Sequence, residues 1–237
     1  MSYAKSAAHY DAIYAARGKD YAREAEQIYK LIQQQKRSPG KSLLDVACGT
    51  GIHVSILRKY YAVEGLDLDK NMLEIARERC PDVVFHHGDM VDFRLDHEFD
   101  AIVCLFSSIG YVRTVEKLRR TIKNFVRHVK SGGVVIIEPW FTPEAWKPGT
   151  VHSVIVDQPD LKIARINISE RQGRLAVMYM HHLVGIPEGV HHFVELHEMG
   201  LFTHEEYLEA FRQSGLQVMH DPEGLIGRGL YIGMNSE

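Results

Sequence analysis

The stretch from Ser42 to Gly51 constrains this chain more than any other. It reads Ser-Leu-Leu-Asp-Val-Ala-Cys-Gly-Thr-Gly. Leu43, Leu44 and Val46 form a short apolar run of the kind buried on both faces of a parallel sheet. Asp45 opens a cluster of small residues, Ala47, Gly49 and Gly51. Glycines directly after a strand let backbone pass close to a ligand, because no Cβ stands in the way. From Ile52 to Lys59 the pattern turns helical. A strand, a tight turn and a helix N-terminus suit a nucleotide or a nucleoside.

The spacing narrows the choice. A dinucleotide fold asks for G-x-G-x-x-G/A, the third small residue allowing close helix–strand packing. Here the register is Gly49-Thr50-Gly51-Ile52-His53-Val54, and Val54 stands where that small residue belongs. A second acid, Asp67, ends the apolar segment Tyr61–Leu66, sixteen residues after Gly51, where it can grip a ribose diol. A ribose acid beside a poor pyrophosphate turn fits a nucleoside without phosphates, and S-adenosylmethionine (SAM) is the common one. Asp45–Gly51, Asp67 and Gly88-Asp89-Met90 together resemble the motif series of class I SAM-dependent methyltransferases, specific as a set though weak singly.

The rest of the chain agrees with an α/β fold. Lys19 to Gln35 reads as an amphipathic helix with Tyr21, Ala25, Ile28 and Ile32 on one stripe, stopped at Ser38-Pro39-Gly40. Asp69 can cap a helix carrying Met72, Ile75 and Ala76. Val83–Phe85 and Ala101–Phe106 read as strands. Thr114 caps a helix with the stripe Leu118, Ile122, Phe125 and Val129, which Ser131-Gly132-Gly133 ends before the strand Val134–Ile137. Strands alternating with helices predict a doubly wound parallel sheet. Segments Val151–Val156, Lys162–Ser169, Leu175–Leu183 and Val190–Leu201 then predict an antiparallel β insertion. Thr203-His-Glu-Glu206 is a capping box for the last helix, Gly215 ends it, and Leu216–Met219 and Leu230–Met234 complete the sheet. The expected organisation is one Rossmann-like methyltransferase domain over 1–237: a helical lid (1–40), a SAM-binding core (41–139), the insertion over the active site (140–201), and the last helix and strands (202–237).

Composition excludes several function classes. A formal charge of −3 with interspersed signs argues against a nucleic-acid footprint, which needs a basic patch. No apolar run approaches a membrane span, and Met1–Lys5 lacks the apolar core of a signal peptide. Three widely spaced cysteines, Cys48, Cys80 and Cys104, read as reduced and buried. A cytoplasmic protein is expected, and a homodimer is compatible with this sequence. Among the fourteen histidines, the pairs His181-His182 and His191-His192 lie on predicted strands and His86-His87 directly follows one. Adjacent strand residues point to opposite faces, so no metal site is expected.

Ligands of open α/β sheets lie beyond the carboxyl ends of the strands. Asp67 should therefore accept the ribose hydroxyls, Asp89 the adenine amino group, and Met90 should pack on the ring, while Ala47, Gly49 and Leu105 approach the methionine end. The N-terminal arm (Tyr3, Tyr10, Tyr14, Arg17) reads equally as a packed helix or as a lid. Trp140 and Trp146 read equally as acceptor floor or core. After the fourth predicted strand the chain reads Cys104-Leu-Phe-Ser-Ser-Ile-Gly-Tyr111, which lacks the Asn/Asp-Pro-Pro-Tyr/Phe of many nucleic-acid and protein N-methyltransferases.

Arg17-Gly-Lys-Asp-Tyr21, Leu43–Gly51, Phe106-Ser-Ser-Ile-Gly110, Glu138-Pro-Trp140 and Gly227-Arg-Gly-Leu230 resemble the dTDP-amino-sugar N,N-dimethyltransferases of macrolide pathways, over essentially the whole chain. The resemblance implies that Tyr14 and Arg17 face the sugar nucleotide and that Tyr21 helps to hold SAM. It also implies Arg165, Ser169 and Arg228 near the acceptor, with Tyr14 orienting the amine. The chain departs from the family at Asn167, Ile168 and Ala176, all expected on the substrate side. The activity implied is N-methylation of a small-molecule primary amine. Another amine or hydroxyl acceptor, or a SAM-binding regulator without turnover, are the rival readings.

Overall fold

The computed structural model describes residues 5–236; Tyr3 of the N-terminal arm lies outside the described residues. After a short 3₁₀ turn at Ala7–His9 come helices α1 (Tyr10–Ala16) and α2 (Tyr21–Gln35), separated by Gly18 at φ +72°. Asp20 caps α2 by accepting the Arg23 N–H, and the predicted stripe buries Ala25, Ile28 and Ile32.

The core follows as β1 (Ser42–Val46), α3 (Ile52–Leu57), β2 (Ala62–Asp67), α4 (Lys70–Arg79), β3 (Val84–His87), β4 (Phe99–Cys104), α5 (Val115–Val126) and β5 (Val129–Ile137). The second half holds β6 (Val151–Gln158), β7 (Leu161–Gln172), β8 (Leu175–Ile186), β9 (Gly189–Gly200), α6 (His204–Gln213), β10 (Gln217–Asp221) and β11 (Leu230–Met234). The main sheet runs β10-β11-β5-β4-β1-β2-β3, parallel except at β11 and β10. Its central strands read as continuous apolar runs because each face has its own core. Leu44, Val46, Ile102, Val135 and Ile137 join one cluster, while Leu43, Val63, Val103, Val134 and Ile136 join the other. The chain leaves β1 towards β2 and β3, then returns to β4 on the opposite side, so the strand order reverses beside β1. That reversal opens a crevice at the strand carboxyl ends.

The structure corrects one local reading. Ser131-Gly132-Gly133 does not end α5; the glycines lie inside β5, and Val129 pairs with Phe99 instead of continuing the helical stripe. Gly132 sits at φ +72°, and its carbonyl accepts the N–H groups of Arg37 and Ser38. A Cβ there would stand 2.8 Å from the Ser38 nitrogen. The glycine therefore makes a β-bulge where another segment crosses.

Strands β6 to β9 form a separate antiparallel sheet in sequence order. Alternation gives it two unlike faces. Arg165, Asn167 and Ser169 of β7 and Met178 and Met180 of β8 point inwards and line the crevice. Ile155, Ile166, Ile168, Leu183 and Leu196 point outwards and are exposed. Among the described residues no helix is long and apolar enough to cross a membrane.

Candidate active site

One cavity of about 820 Å³ runs from the β1 and β2 carboxyl ends to the inner face of the second sheet. Its first half carries the nucleoside signature. Asp67, at the end of β2, accepts the Gly49 N–H on Oδ2 and the Asp69 N–H on Oδ1, both at 2.8 Å. Each oxygen keeps acceptor capacity for a ribose hydroxyl. Burial pushes the Asp67 carboxyl above its ordinary range, against the backbone N–H donors of Asp69, Gly49 and Leu68. Asp89 closes its turn by accepting the Val91 N–H at 2.9 Å, and with Met90 and Val91 it lines the same cavity.

Between these acids and the helix start the backbone is shaped for close approach. Ala47 and Gly49 both adopt positive φ, 59° and 57°, and a Cβ on Gly49 would meet nothing within 4 Å. A side chain there would project into the space that a cofactor needs. A smaller hollow behind the turn is lined by Tyr21, Asp45, Leu105 and His53. Asp45 is fully buried, one of its oxygens has no hydrogen-bond partner, and burial with the neighbouring Asp67 charge pushes its pKa up to about 8. A SAM molecule fits this half: the open glycine turn, the ribose acid and the adenine-side acid stand at the ends of β1, β2 and β3 in that order.

The second half holds the residues expected on the acceptor side. Tyr14, buried on α1, meets the Phe106 ring edge-on at 4.8 Å and lies near both Arg17 and Arg165, whose guanidinium carbons are 5.9 and 5.3 Å from its ring. Phe106 itself has a positive φ of 53°, an uncommon conformation for a bulky residue and one that clusters at functional sites. Its N–H donates to Glu138 at 2.6 Å. Arg228 lies 3.6 Å from Glu138 and packs over the Phe106, Trp140 and Phe141 rings. Burial pushes the Glu138 carboxyl up and the Arg228 guanidinium down, each opposed by the other's charge. Arg165 differs. It is 4% exposed, its Nε has no hydrogen-bond partner, and among the described residues it pairs with no carboxylate.

The cavity thus brings together Tyr14, Arg17, Ala47, Gly49, Asp67, Asp89, Met90, Arg165, Ser169 and Arg228. Tyr21 and Leu105 line the adjoining hollow instead. Of the three departures from the family pattern, Asn167 faces the cavity, whereas the substrate-side expectation fails for the other two. Ile168 is on the outer face, 51% exposed, and Ala176 is packed with Trp146 and Met178 without lining the cavity. Trp146 belongs to that apolar cluster with Trp140 packed against it, and both also line the cavity. Lys19, the Tyr111–His197 pair (hydroxyl to Nδ1 2.8 Å) and the role of Glu138 were missed. Their signal is tertiary, since each comes from a different segment.

Comparison with known proteins places this geometry. Residues 43–133 match the family model described as a methyltransferase domain. The chain is 43% identical over 228 residues to the dTDP-3-amino-3,4,6-trideoxy-alpha-D-glucopyranose N,N-dimethyltransferase of Streptomyces venezuelae, covering 95% of each. The crystal structure of Streptomyces venezuelae DesVI superposes with a TM-score of 0.90 at 43% identity, over 94% of this chain and 95% of that one. SAM-bound CalS10, an amino pentose methyltransferase from Micromonospora echinaspora, gives 0.86 at 37% identity, over 95% and 96%.

Proposed function

Because this chain belongs to the dTDP-amino-sugar N,N-dimethyltransferase family of SAM-dependent enzymes, we propose that its acceptor is the primary amine of a dTDP-linked aminodeoxy sugar, methylated twice. One observation carries the acceptor reading: Arg165, a buried guanidinium without an acidic partner, opens on the cavity that also holds the ribose acid. Leaving a buried cation uncompensated is costly, and a diphosphate offers the bidentate oxygens that arginine binds best. Arg17 and Arg228 line the same half and can share the two phosphate charges.

SAM supplies a methyl group already activated on a sulfonium. The protein therefore has to hold the acceptor nitrogen in line with it, and such positioning can lower a barrier by about 7–11 kcal/mol in the best intramolecular models. Tyr14, fixed between Phe106 and Arg165, is placed to orient that nitrogen. A free α-amino group titrates near ~7.7–8.0, and a sugar amine flanked by oxygens loses its proton comparably easily. No obligatory general base is needed. The monomethyl product remains nucleophilic, so a second transfer follows once the cofactor exchanges.

The test is incubation of the purified protein with SAM and a panel of dTDP-amino sugars, read by mass spectrometry. Successive mass gains of one and two methyl groups support the reading. Methylation of nucleotide-free amines alone, with no gain on any dTDP sugar, defeats it. No gain on any acceptor while SAM binds would favour a regulator.

The outer face of the second sheet supports a homodimer. Ile155, Ile166, Ile168, Leu183 and Leu196 are exposed there with Val194 and the stacked His181–His192 rings, 5.8 Å apart. A patch of this kind without Lys, Arg, Asp or Glu at its middle complements itself, as a two-fold contact requires. Light scattering should give twice the chain mass for the wild type and one chain mass for Ile166→Arg. A monomeric wild type rules the contact out. The cytoplasm, where SAM and nucleotide sugars are made, is the compartment this reading implies.

A further inference from the structure

The adenine, ribose and turn positions follow the strand order along the sheet edge: Asp89 after β3, Asp67 after β2, Ala47–Gly49 after β1. Continued in that direction, the methionine tail of the cofactor reaches the boundary of β1 and β4, where Phe106 stands. A methionine tail carries a carboxylate, and the residues expected to hold SAM include no cation for it.

Lys19 stands at that boundary. Gly18, in a left-handed turn at φ +72°, reverses the chain after α1, and Lys19 donates its own N–H to the Tyr14 carbonyl. The side chain is only 6% exposed yet lines the cavity. Its ammonium sits 3.7 Å from the Phe106 ring centroid and 4.9 Å from that of Tyr21. Both Glu24 oxygens accept from it at 2.7 Å, and Glu24 is held in turn by His53 Nε2 at 2.9 Å on α3, the helix that follows the glycine turn. An ammonium has three N–H donors, so one remains. The Tyr21 ring beside it carries a hydroxyl that is buried without a hydrogen-bond partner.

Among the described residues Lys19 and Arg228 are the cations packed on the Phe106 ring. Arg79 is bound to Asp11 and to the Thr50 carbonyl, and Arg165 and Arg228 lie on the acceptor side.

We propose that Lys19, with the Tyr21 hydroxyl as second donor, binds the carboxylate of the cofactor's methionine tail. Glu24 and His53 are positioning residues: they hold the ammonium against the glycine-turn helix and leave one N–H for the ligand. The assignment concerns the cofactor alone, so its failure leaves the acceptor reading untouched.

The test is calorimetric binding of two ligands to the full chain, with no acceptor present: S-adenosylhomocysteine and its decarboxylated counterpart, S-adenosyl-3-thiopropylamine, which keeps the amino group. In the wild type the carboxylated ligand should bind about 10- to 100-fold more tightly, the range of a charge-assisted hydrogen bond. Lys19→Met should remove most of that preference while changing the decarboxylated ligand's affinity by less than about threefold, a double cycle on one contact. Since Lys19→Met strands Glu24, the double variant Lys19→Met/Glu24→Gln repeats the measurement without a buried unpaired carboxylate. Tyr21→Phe should reduce the preference by a smaller factor. A wild type indifferent to the carboxylate, a preference retained in both Lys19 variants, or equal weakening of both ligands in both variants overturns the assignment.

Discussion

Two imidazoles buried on the inner side of the second sheet should make this protein labile to mild acid. His197 on β9 is fully buried, its Nδ1 2.8 Å from the Tyr111 hydroxyl. His182 on β8 is buried with its ring stacked on Phe193 at 4.7 Å. Burial, then the Arg165 charge, pushes His197 down to about 3 and His182 down to about 4; His9 of the N-terminal 3₁₀ turn and His181 add smaller repulsions on His182. The unfolded chain binds a proton on each below its ordinary value of about 6.5, while the folded chain refuses it. Stability from these groups is therefore complete above about pH 6.5 and is lost as pH falls towards the folded values, at about 1.4 kcal/mol per pH unit for each histidine. At about pH 5 that amounts to about 2 kcal/mol each, a large part of the 5–15 kcal/mol that domains possess.

The assay is urea unfolding followed by far-UV circular dichroism at about pH 7.5, 6 and 5. His197→Gln should be less stable at the highest pH, having exchanged the Tyr111 contact, worth about 1 kcal/mol. Its further loss between about pH 6.5 and 5 should nevertheless be smaller than the wild type's by about 2 kcal/mol. A diphosphate ligand beside Arg165 should shallow the wild-type slope too, because it relieves the repulsion on both rings. Equal slopes in wild type and variant would falsify the argument.

Three further outcomes follow from the site. Asp67→Ala should weaken SAM by well over tenfold in calorimetry, since two ribose bonds to a charged acceptor are lost, each worth about 1.5–3 kcal/mol; equal affinity refutes the ribose role. Arg165→Ala should raise the KM for a dTDP-linked acceptor strongly and leave the Kd for SAM unchanged; a matched loss of SAM binding points to a folding defect instead. The acid limb of kcat/KM should move with the acceptor's amine pKa when the acceptor is changed, and a limb that stays fixed assigns the proton to an enzyme group.

The cofactor half was legible in the sequence because its residues are local to strand ends. A parallel sheet places the residue after every strand on one edge, so Asp45–Gly51, Asp67 and Asp89-Met90 could be brought together by topology alone. The capping box at Thr203 and the left-handed Gly215, φ +88°, were legible for the same reason. The glycines at 132 and 133 misled because a bulge inside a strand and the end of a helix share one composition signal; only the crossing of Arg37 and Ser38 decides between them.

The acceptor half was less legible, and the reason lies in the second sheet. Alternation assigns residues to two faces but does not say which face is covered. A half-buried antiparallel sheet ordinarily turns its apolar face to the core and its polar face to water. Along the second half of β7 the polarity is reversed, although the rest of the inner face is apolar: Arg165, Asn167 and Ser169 face inwards, and Ile166 and Ile168 face outwards. The usual rule would have placed the isoleucines in the core and the arginine in solvent. Knowing the inner face changes the weight of the departures as well. Ile168 belongs to the exposed apolar face and Ala176 to the packing behind Trp146, so neither bears directly on what the cavity accepts. Asn167 alone of the three lines the cavity, between Arg165 and Ser169, and an amide there can donate and accept hydrogen bonds.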